Sequence, residues 1–520
     1  MRIQRHVVLG LAMLSLSSGL GAYSALAATD PLANKNKLPD ALEETVGLLR
    51  TGLEADGFAV ARGYWTLWGA DECKYPIQTI GYCYGNNPTA PYMLAVVPPW
   101  EDEYVDQRFH HIMNEPQRNM SPTYRLDTRE ALIVVAQMPP SARYFGMGSN
   151  VFTREAAFNP NDRIFPIVAA DPLLQGILFG GSPDPARRMM VASIGNSINN
   201  VVIENKTGQS PWNRPAYMII TSDSGMAAQM TDALISAGVS WSDIFTEPVS
   251  PDIVKLGLNR SADDFILYIR YAMPDDKVAG DEWRNSAPLT ILRVRDMTSR
   301  KYGNPFSIPA YTERSANYDE TKLGGDFVSL QNAVRTAWAQ PQAKIVPFFS
   351  AYKFLDLIGQ HCLGSPDPTR GPMDCLGDSQ DADYQISGSA QIDDGQVIAV
   401  VGVLSSQTGN ATYTSLSVNW FPQLVGVANV DDIALKGTAA SFAGSLPNAA
   451  DKFYVYYAAR NCSGLPNCVQ ISKQFVPNGG TIKFIQRNYI NPGTSTGPKP
   501  TQILNPELII LDGNNRPALQ

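Results

Sequence analysis

The amino-acid sequence predicts a mainly β protein, with β-sandwich or jelly-roll-like domains and a few peripheral α-helices. Short runs of β-branched and aromatic residues recur along the 520-residue chain, separated by Gly, Pro, Asn and Asp, which is typical of short strands joined by turns. Regular alternation of strands and helices is missing, so a doubly wound α/β fold is disfavoured. An α+β fold is the remaining alternative.

Strand-like composition extends over most of the chain. Val, Ile, Tyr, Phe and Thr dominate the predicted strands, and turn-forming residues flank them. The best examples are residues 92–97, 131–137, 189–194, 216–221, 265–271, 289–294, 397–404, 412–418, 453–458, 481–486 and 507–511.

Three segments predict helices, because their apolar residues recur every three or four positions. The clearest covers residues 40–56, where Asp40 is the expected N-cap. The second covers residues 226–237, and we interpret the Ser-Asp-Ser sequence before it as a helix cap rather than a serine nucleophile. The third follows Asp326 and ends before a proline.

Composition divides the chain into four segments. These are a signal peptide (1–27), a large β-rich region with helices that holds one or two domains (28–340), a Pro/Gly/Asp-rich linker with a disulfide loop (341–384) and a C-terminal β-domain (385–520). The pentapeptide Gly-Ser-Pro-Asp-Pro occurs at 181–185 and 364–368, but nothing around it repeats. We interpret it as one turn sequence used twice rather than as a duplicated unit.

The N-terminus has the three marks of a cleavable signal peptide. Arg2 and Arg5 precede an apolar stretch over residues 7–20, and the sequence Ala25-Leu-Ala27 ends it. The alternative is an uncleaved anchor, but Ser and Gly interrupt the apolar run, and a membrane span needs roughly 20 mainly apolar residues. No later stretch is long and apolar enough to cross a membrane. The sequence therefore predicts a secreted or periplasmic protein without a transmembrane segment in its mature chain.

The cysteines predict three local disulfides. They form three couples that are close in sequence: Cys73 and Cys83, Cys362 and Cys375, Cys462 and Cys468. An even number of cysteines in an exported chain favours disulfides. A zinc site is the alternative, but the sequence has no C-x-x-C pair and few histidines.

The overall charge argues against a general nucleic-acid binder. The chain has 41 Lys and Arg against 49 Asp and Glu, for a net charge of −8, whereas nucleic-acid binders carry an excess of basic residues. The apolar fraction of 44% is ample for packed cores.

The candidate catalytic residues are His110, His111 and Glu115. If this segment is helical, His111 and Glu115 lie four residues apart on one face and could share a proton or a metal. His110 would then point elsewhere. The alternative is that both histidines are ordinary structural or surface residues.

A second candidate is a calcium site formed by Asp378, Asp381 and Asp383. Clustered carboxylates beside Gly suit Ca²⁺, which takes six to eight oxygen ligands. The spacing is not that of an EF-hand, because the required Gly and Glu are missing. A solvated linker is the alternative interpretation.

These observations support two hypotheses about function. The first is an exported hydrolase acting on an extracytoplasmic polymer or ester, suggested by the length of the chain and by the histidine–glutamate pair. The second is a noncatalytic exported protein for binding or cell-surface interaction, suggested by the absence of known catalytic and nucleotide-binding motifs. In both cases the expected partner is an extracellular polymer or a small-molecule ligand, and no nucleic acid is expected.

Overall fold

The computed structural model describes residues 36–80, 83, 87–88, 90–106, 119–155, 187–310, 312–350, 363, 377–447 and 449–515. Its main feature is a pair of ten-stranded β-sheets, accompanied by a small number of helices. The predicted mainly β fold with a few helices is therefore confirmed.

The first sheet is built from the chain before residue 300, and the second from the chain after it. The strands of the first sheet are β1 (Phe58–Trp68), β2 (Tyr92–Val96), β3 (Glu130–Gln137), β4 (Ala142–Glu155), β5 (Arg187–Ser193), β6 (Ile198–Asn199), β7 (Pro215–Thr221), β8 (Ile244–Pro248), β9 (Asp264–Pro274) and β10 (Leu289–Asp296). Those of the second are β11 (Lys344–Ser350), β12 (Ala382–Ser387), β13 (Ala390–Ile392), β14 (Gln396–Val403), β15 (Tyr413–Trp420), β16 (Val425–Asp431), β17 (Phe453–Ala459), β18 (Cys468–Gln470), β19 (Gly480–Tyr489) and β20 (Glu507–Asp512). The α-helices in the described ranges are α1 (Asp40–Ala55), α2 (Lys74–Ile80), α3 (Asn200–Thr207), α4 (Ser224–Ser236), α5 (Lys277–Ser286), α6 (Gly324–Ala337), α7 (Ser405–Thr408) and α8 (Asp432–Leu435).

The two sheets have the same topology. The strand order is β5-β4-β9-β2-β1-β10-β3-β7-β8 in the first sheet and β16-β15-β19-β12-β11-β20-β14-β17-β18 in the second. Each strand on one path thus has a counterpart at the same place on the other, and in both sheets the last pair is parallel. We call residues 40–296, from α1 to β10, the first repeat, and residues 324–512, from α6 to β20, the second repeat.

Each repeat closes around its own first strand. The beginning of β1 pairs with β10 and its end with β2, while the beginning of β11 pairs with β20 and its end with β12. The first strand of a repeat therefore lies beside the last, and it belongs to both parts of a strongly curled sheet. Apolar side chains fill the space inside the curl and form the core of a sandwich.

The correspondence between the repeats extends to individual residues. Arg270 on β9 is paired with Tyr92 on β2, and Arg487 on β19 is paired with Tyr384 on β12. Because directly paired residues share one face of a sheet, each repeat presents an arginine and a tyrosine at the same place. No sequence repeat predicts this match.

Tyrosines on the next strand follow the same register. On β4, Arg270 is paired with Gly146, and Tyr144 precedes Gly146 by two residues. On β15, Arg487 is paired with Ser415, and Tyr413 precedes Ser415 by two residues. Three matched pairs at one register indicate that the two repeats are related as structural copies.

A helix precedes the first strand of each repeat and packs on its sheet. Helix α1 buries Leu42, Val46, Leu49 and Leu53 in a core shared with α4, and α6 buries Phe327, Leu330 and Val334 against the second sheet. These elements confirm the three predicted helices. The side chain of Asp223 caps α4 as predicted, whereas Asp40 is the first residue of α1 and Pro39 is its N-cap.

Two of the predicted disulfides are formed, Cys73–Cys83 and Cys462–Cys468. Cys362 and Cys375 lie outside the described residues. Within the part of the chain that the structure describes, none of the helices has the length and apolar character needed to cross a bilayer.

The second sheet begins inside the segment predicted as a linker. Strand β11 and the first residues of β12 fall within 341–384 and belong to the second sheet. Both Gly-Ser-Pro-Asp-Pro sequences lie outside the described residues. One falls between β4 and β5 and the other between β11 and β12, which are not equivalent connections, so the pentapeptide does not mark the repeat.

We expect Leu330→Ala to lower the free energy of unfolding by roughly 2–5 kcal/mol, because it leaves a cavity under α6. Leu330 is fully buried, whereas Val328 on the same helix is 53% exposed. Val328→Ala is the control and should change the free energy by no more than about 0.5 kcal/mol. Urea unfolding followed by circular dichroism measures both, and equal losses would contradict the packing of α6.

Candidate functional site

The two repeats meet through an ion pair that is buried between them. The Arg270 side chain is 3% exposed, and its Nη2 donates to Asp381 Oδ1 of the second repeat at 3.0 Å. Its Nη1 donates to the Tyr384 hydroxyl at 3.1 Å, and the Tyr144 hydroxyl donates to Asp381 Oδ2 at 2.9 Å. Each charged group is thus paired and hydrogen-bonded, which is the condition for burying it at acceptable cost.

Aromatic rings surround this ion pair. The ring of Tyr489 lies 4.5 Å from that of Tyr144 and 5.2 Å from that of Tyr413, measured between centroids. The Arg270 guanidinium lies 5.5 Å from the Tyr144 centroid and 5.6 Å from that of Tyr489, within the range of cation–π attraction. Burial raises the pKa of the Tyr144 hydroxyl well above its usual value, so this group stays a donor. The ion pair, its hydrogen bonds and the surrounding rings therefore hold the two repeats together.

A groove of about 570 Å³ is lined by residues of both repeats. This volume is within the usual range for small-molecule sites. Its apolar lining consists of Leu67, Pro88, Pro91, Met273 and Pro274 from the first repeat and Ile433 from the second. Ile433 is 65% exposed, so an apolar side chain is available to a ligand there.

Charged side chains supply the polar part of the groove. On α5, Asp281 is ion-paired with Lys277 and with Arg284, whose Nη1 lies 2.7 Å from Asp281 Oδ1. The hydrogen bond from Lys277 is the main cause that lowers the pKa of Asp281. From the second repeat, Asp431 Oδ1 caps α8 by accepting from the backbone N–H groups of Ile433 and Ala434 at 3.0 and 3.1 Å.

Local sequence explains why α5 lies along the groove. Strand β9 ends at Pro274, the φ of 58° at Met273 turns the chain just before this end, and the Asp276 side chain then caps α5. A Cβ at Gly280 would lie 2.5 Å from Pro274 Cβ. Glycine therefore allows α5 to pack directly on the end of β9.

The aspartates predicted as calcium ligands each occupy a different environment. Asp378 accepts hydrogen bonds from the backbone N–H of Ser193, at 2.8 Å, and from its hydroxyl, while Asp381 is paired with Arg270. The residues that the structure describes include no group of three His, Cys, Asp or Glu that could hold a metal ion. The structure thus does not assemble Asp378, Asp381 and Asp383 into the predicted cation site. Asp378 and Asp381 instead connect the two repeats.

Asp383 is buried inside the second repeat, and neither of its carboxyl oxygens makes a hydrogen bond of good geometry. Burial raises its pKa from 3.8 to about 7, although the charge of Arg314 and the side chain of Asn488 act in the opposite direction. The folded protein therefore binds a proton at Asp383 more tightly than the unfolded chain does.

His110, His111 and Glu115 lie outside the part of the chain that the structure describes. The catalytic site built on them stays a prediction. The groove was not predicted from the sequence, although the spacing of Lys277, Asp281 and Arg284 is a helical charge pattern that indicates an exposed helix.

We expect Asp383→Asn to stabilise the protein at pH 8 and to leave its stability nearly unchanged at pH 4. A carboxyl whose pKa is raised by folding stabilises the fold below its unfolded pKa, and this contribution is lost as the pH rises from about 4 to 7. The stabilisation at pH 8 should be on the order of 4 kcal/mol, because each unit of difference between the folded and unfolded pKa corresponds to about 1.4 kcal/mol. Urea unfolding of the wild type and the variant at both pH values measures it.

Asp393→Asn is the matched control, because Asp393 is exposed in the same repeat. It should show the same small effect at pH 4 and pH 8. If Asp383→Asn stabilises the protein equally at the two pH values, the ionisation of the Asp383 carboxyl is not the cause of the stabilisation.

Comparisons with known proteins give no family. No family model and no curated protein matches the chain. Among solved structures, an uncharacterised protein from Burkholderia cenocepacia is 9% identical, with 91% of this chain and 88% of that chain covered and a TM-score of 0.37. A protein of the T13 IBDV viral particle is also 9% identical, with 92% and 78% covered and a TM-score of 0.15. TM-scores this low establish neither a common fold nor a common function.

Proposed function

We propose that this is an exported binding protein that holds its ligand in the groove between the two repeats. The observation that carries the proposal is the groove itself, with about 570 Å³ of space and a lining drawn from both repeats. Since the buried Arg270–Asp381 pair fixes the repeats against each other, the groove is formed before a ligand arrives. Preformed sites bind with little loss of conformational entropy.

The lining suggests an amphiphilic ligand. The two prolines at 88 and 91 and the exposed side chain of Ile433 offer a stiff apolar surface. Asp281 and Asp431 balance Lys277 and Arg284, so the polar part of the groove carries no net charge. A ligand with an apolar body and one polar end suits this surface.

Export rests on the sequence and on the cysteines. Residues 1–27 have the features of a signal peptide, and the two disulfides support an oxidising compartment. The proposed location is the periplasm or the extracellular medium.

Hydrolysis of a polymer or ester remains an alternative prediction that rests on His110, His111 and Glu115. A screen of the mature protein with ester and polysaccharide substrates tests it. Activity that is lost in His111→Ala and Glu115→Ala would support this alternative, and activity that survives both substitutions and His110→Ala would exclude the site.

For the groove, we expect Ile433→Arg to abolish ligand binding without unfolding the protein. The test is a thermal-unfolding screen of the mature protein against a library of small amphiphilic molecules. A ligand at about 100 times its Kd stabilises the folded state by about 2.7 kcal/mol, and this stabilisation should disappear in the variant, because a charged side chain replaces the apolar surface.

Phe475→Arg is the control for this screen, since Phe475 is 54% exposed and does not line the groove. It should keep the ligand response of the wild type. The proposal is excluded if no compound stabilises the protein, or if the stabilising compounds act equally on the Ile433→Arg variant.

A further inference from the structure

The groove has a structural counterpart at a second place where the two repeats meet. Asn199 is paired with Gly146, which on its other side is paired with Arg270. In the same way, Asp431 is paired with Ser415, which on its other side is paired with Arg487. Gly146 and Ser415 are therefore equivalent, because Arg270 and Arg487 are. Asn199 caps α3 just as Asp431 caps α8. Asn199 is therefore the first-repeat equivalent of the groove residue Asp431.

The turn at Met273, which also lines the groove, has a counterpart in the second repeat as well. Met273 follows Arg270 by three residues, and Ile490 follows Arg487 by three residues. Both have a positive φ, 58° at Met273 and 39° at Ile490, which is uncommon for residues with a side chain. The chain therefore turns at the same place in both repeats, next to an equivalent helix cap.

In the counterpart the space is filled by the chain itself. After Ile490, the chain continues so that the Ser495 carbonyl accepts from Asn199 Nδ2 at 2.8 Å, and the Gly497 N–H donates to the Gln380 carbonyl at 3.0 Å. A Cβ at Gly497 would lie within 2.8 Å of the Ala382 backbone. A compact turn of small residues (491–497), in which the Asn491 N–H donates to the Thr496 carbonyl at 2.8 Å, thus occupies the closed counterpart in close backbone contact.

None of the described segments fills the groove in this way, because the first repeat takes a different course. After Pro274 the chain enters α5, and Pro88, which stands at the position equivalent to Gln380, lines open space instead. The closed counterpart therefore shows what kind of molecule the groove accommodates. It is a short stretch of polypeptide, which in the counterpart is folded into a turn.

One difference between the two places concerns the hydrogen bond at the helix cap. In the closed counterpart the amide of Asn199 donates to a carbonyl. At the groove the equivalent residue is Asp431, whose carboxylate only accepts. The occupant of the groove must therefore offer an N–H group or a cation where Ser495 offers its carbonyl.

We propose that the groove binds a short peptide segment with a basic side chain or a free amino group against Asp431. This inference rests on the proposed function and specifies its ligand. The apolar side chain of Ile433 would contact an apolar residue of the peptide, and the ion pairs of Lys277 and Arg284 with Asp281 leave Asp431 as the acidic group open to a cation.

The test uses the mature full-length chain and fluorescein-labelled hexapeptide pools. One pool carries Lys or Arg at a fixed position, and the matched pool carries Met or Gln there. We expect the basic pool to bind more tightly in fluorescence anisotropy, and Asp431→Asn to weaken its binding by at least about tenfold, because a charge-assisted hydrogen bond is lost. Asn caps helices as well as Asp does, so the fold should be retained.

Asp393→Asn makes the same change of charge at an exposed residue that does not line the groove, and it should not alter binding. Basic peptides that bind equally to the Asp431→Asn variant would overturn the inference. If no peptide binds while a non-peptide compound responds to Ile433→Arg, the peptide inference fails and the proposed binding function stands. If neither binds, both fail.

Discussion

The ion pair between Arg270 and Asp381 is the constraint on which the arrangement of this molecule depends. Both groups are removed from water, and removing one partner of such a pair leaves an uncompensated buried charge, which costs about 3–5 kcal/mol. In the observed placement of the repeats, Arg270 pairs with Asp381, and the hydroxyls of Tyr384 and Tyr144 hydrogen-bond to them. The groove exists because this placement leaves the ends of β9 and β16 close to each other without filling the space between them.

The two repeats are best understood as diverged copies of one unit. Their strand order is the same, and polar and aromatic residues match at one register, such as Arg270 with Arg487 and Tyr144 with Tyr413. Core positions can exchange one apolar residue for another of similar volume, so the cores have lost any visible similarity. Of the two equivalent places where the repeats meet, one is filled by the chain and the other is the groove.

Local features were predictable from the sequence, and long-range ones were not. The apolar spacing in α1 and the strand composition of β3 and β14 depend on neighbours along the chain, so periodicity was enough to predict them. The two described disulfides were predicted because their cysteines are close in sequence. The Arg270–Asp381 pair joins residues more than one hundred positions apart, and nothing in either segment indicates the other. The cluster at 378–383 predicts a cation site because a sequence shows charges but not the surroundings in which folding places them.

The position of the first strand in each repeat has a consequence for how the protein folds. Strand β11 is the centre of its sheet, yet its neighbour β20 is the last of the described strands of that sheet in chain order, and β20 also pairs with β14. Long-range pairing of this kind is slow to form, and the sheet stays divided until β20 has been made. A chain that stops a few residues before β20 would therefore expose two unpaired strand edges in the middle of its sheet, and exposed edges of this kind promote aggregation.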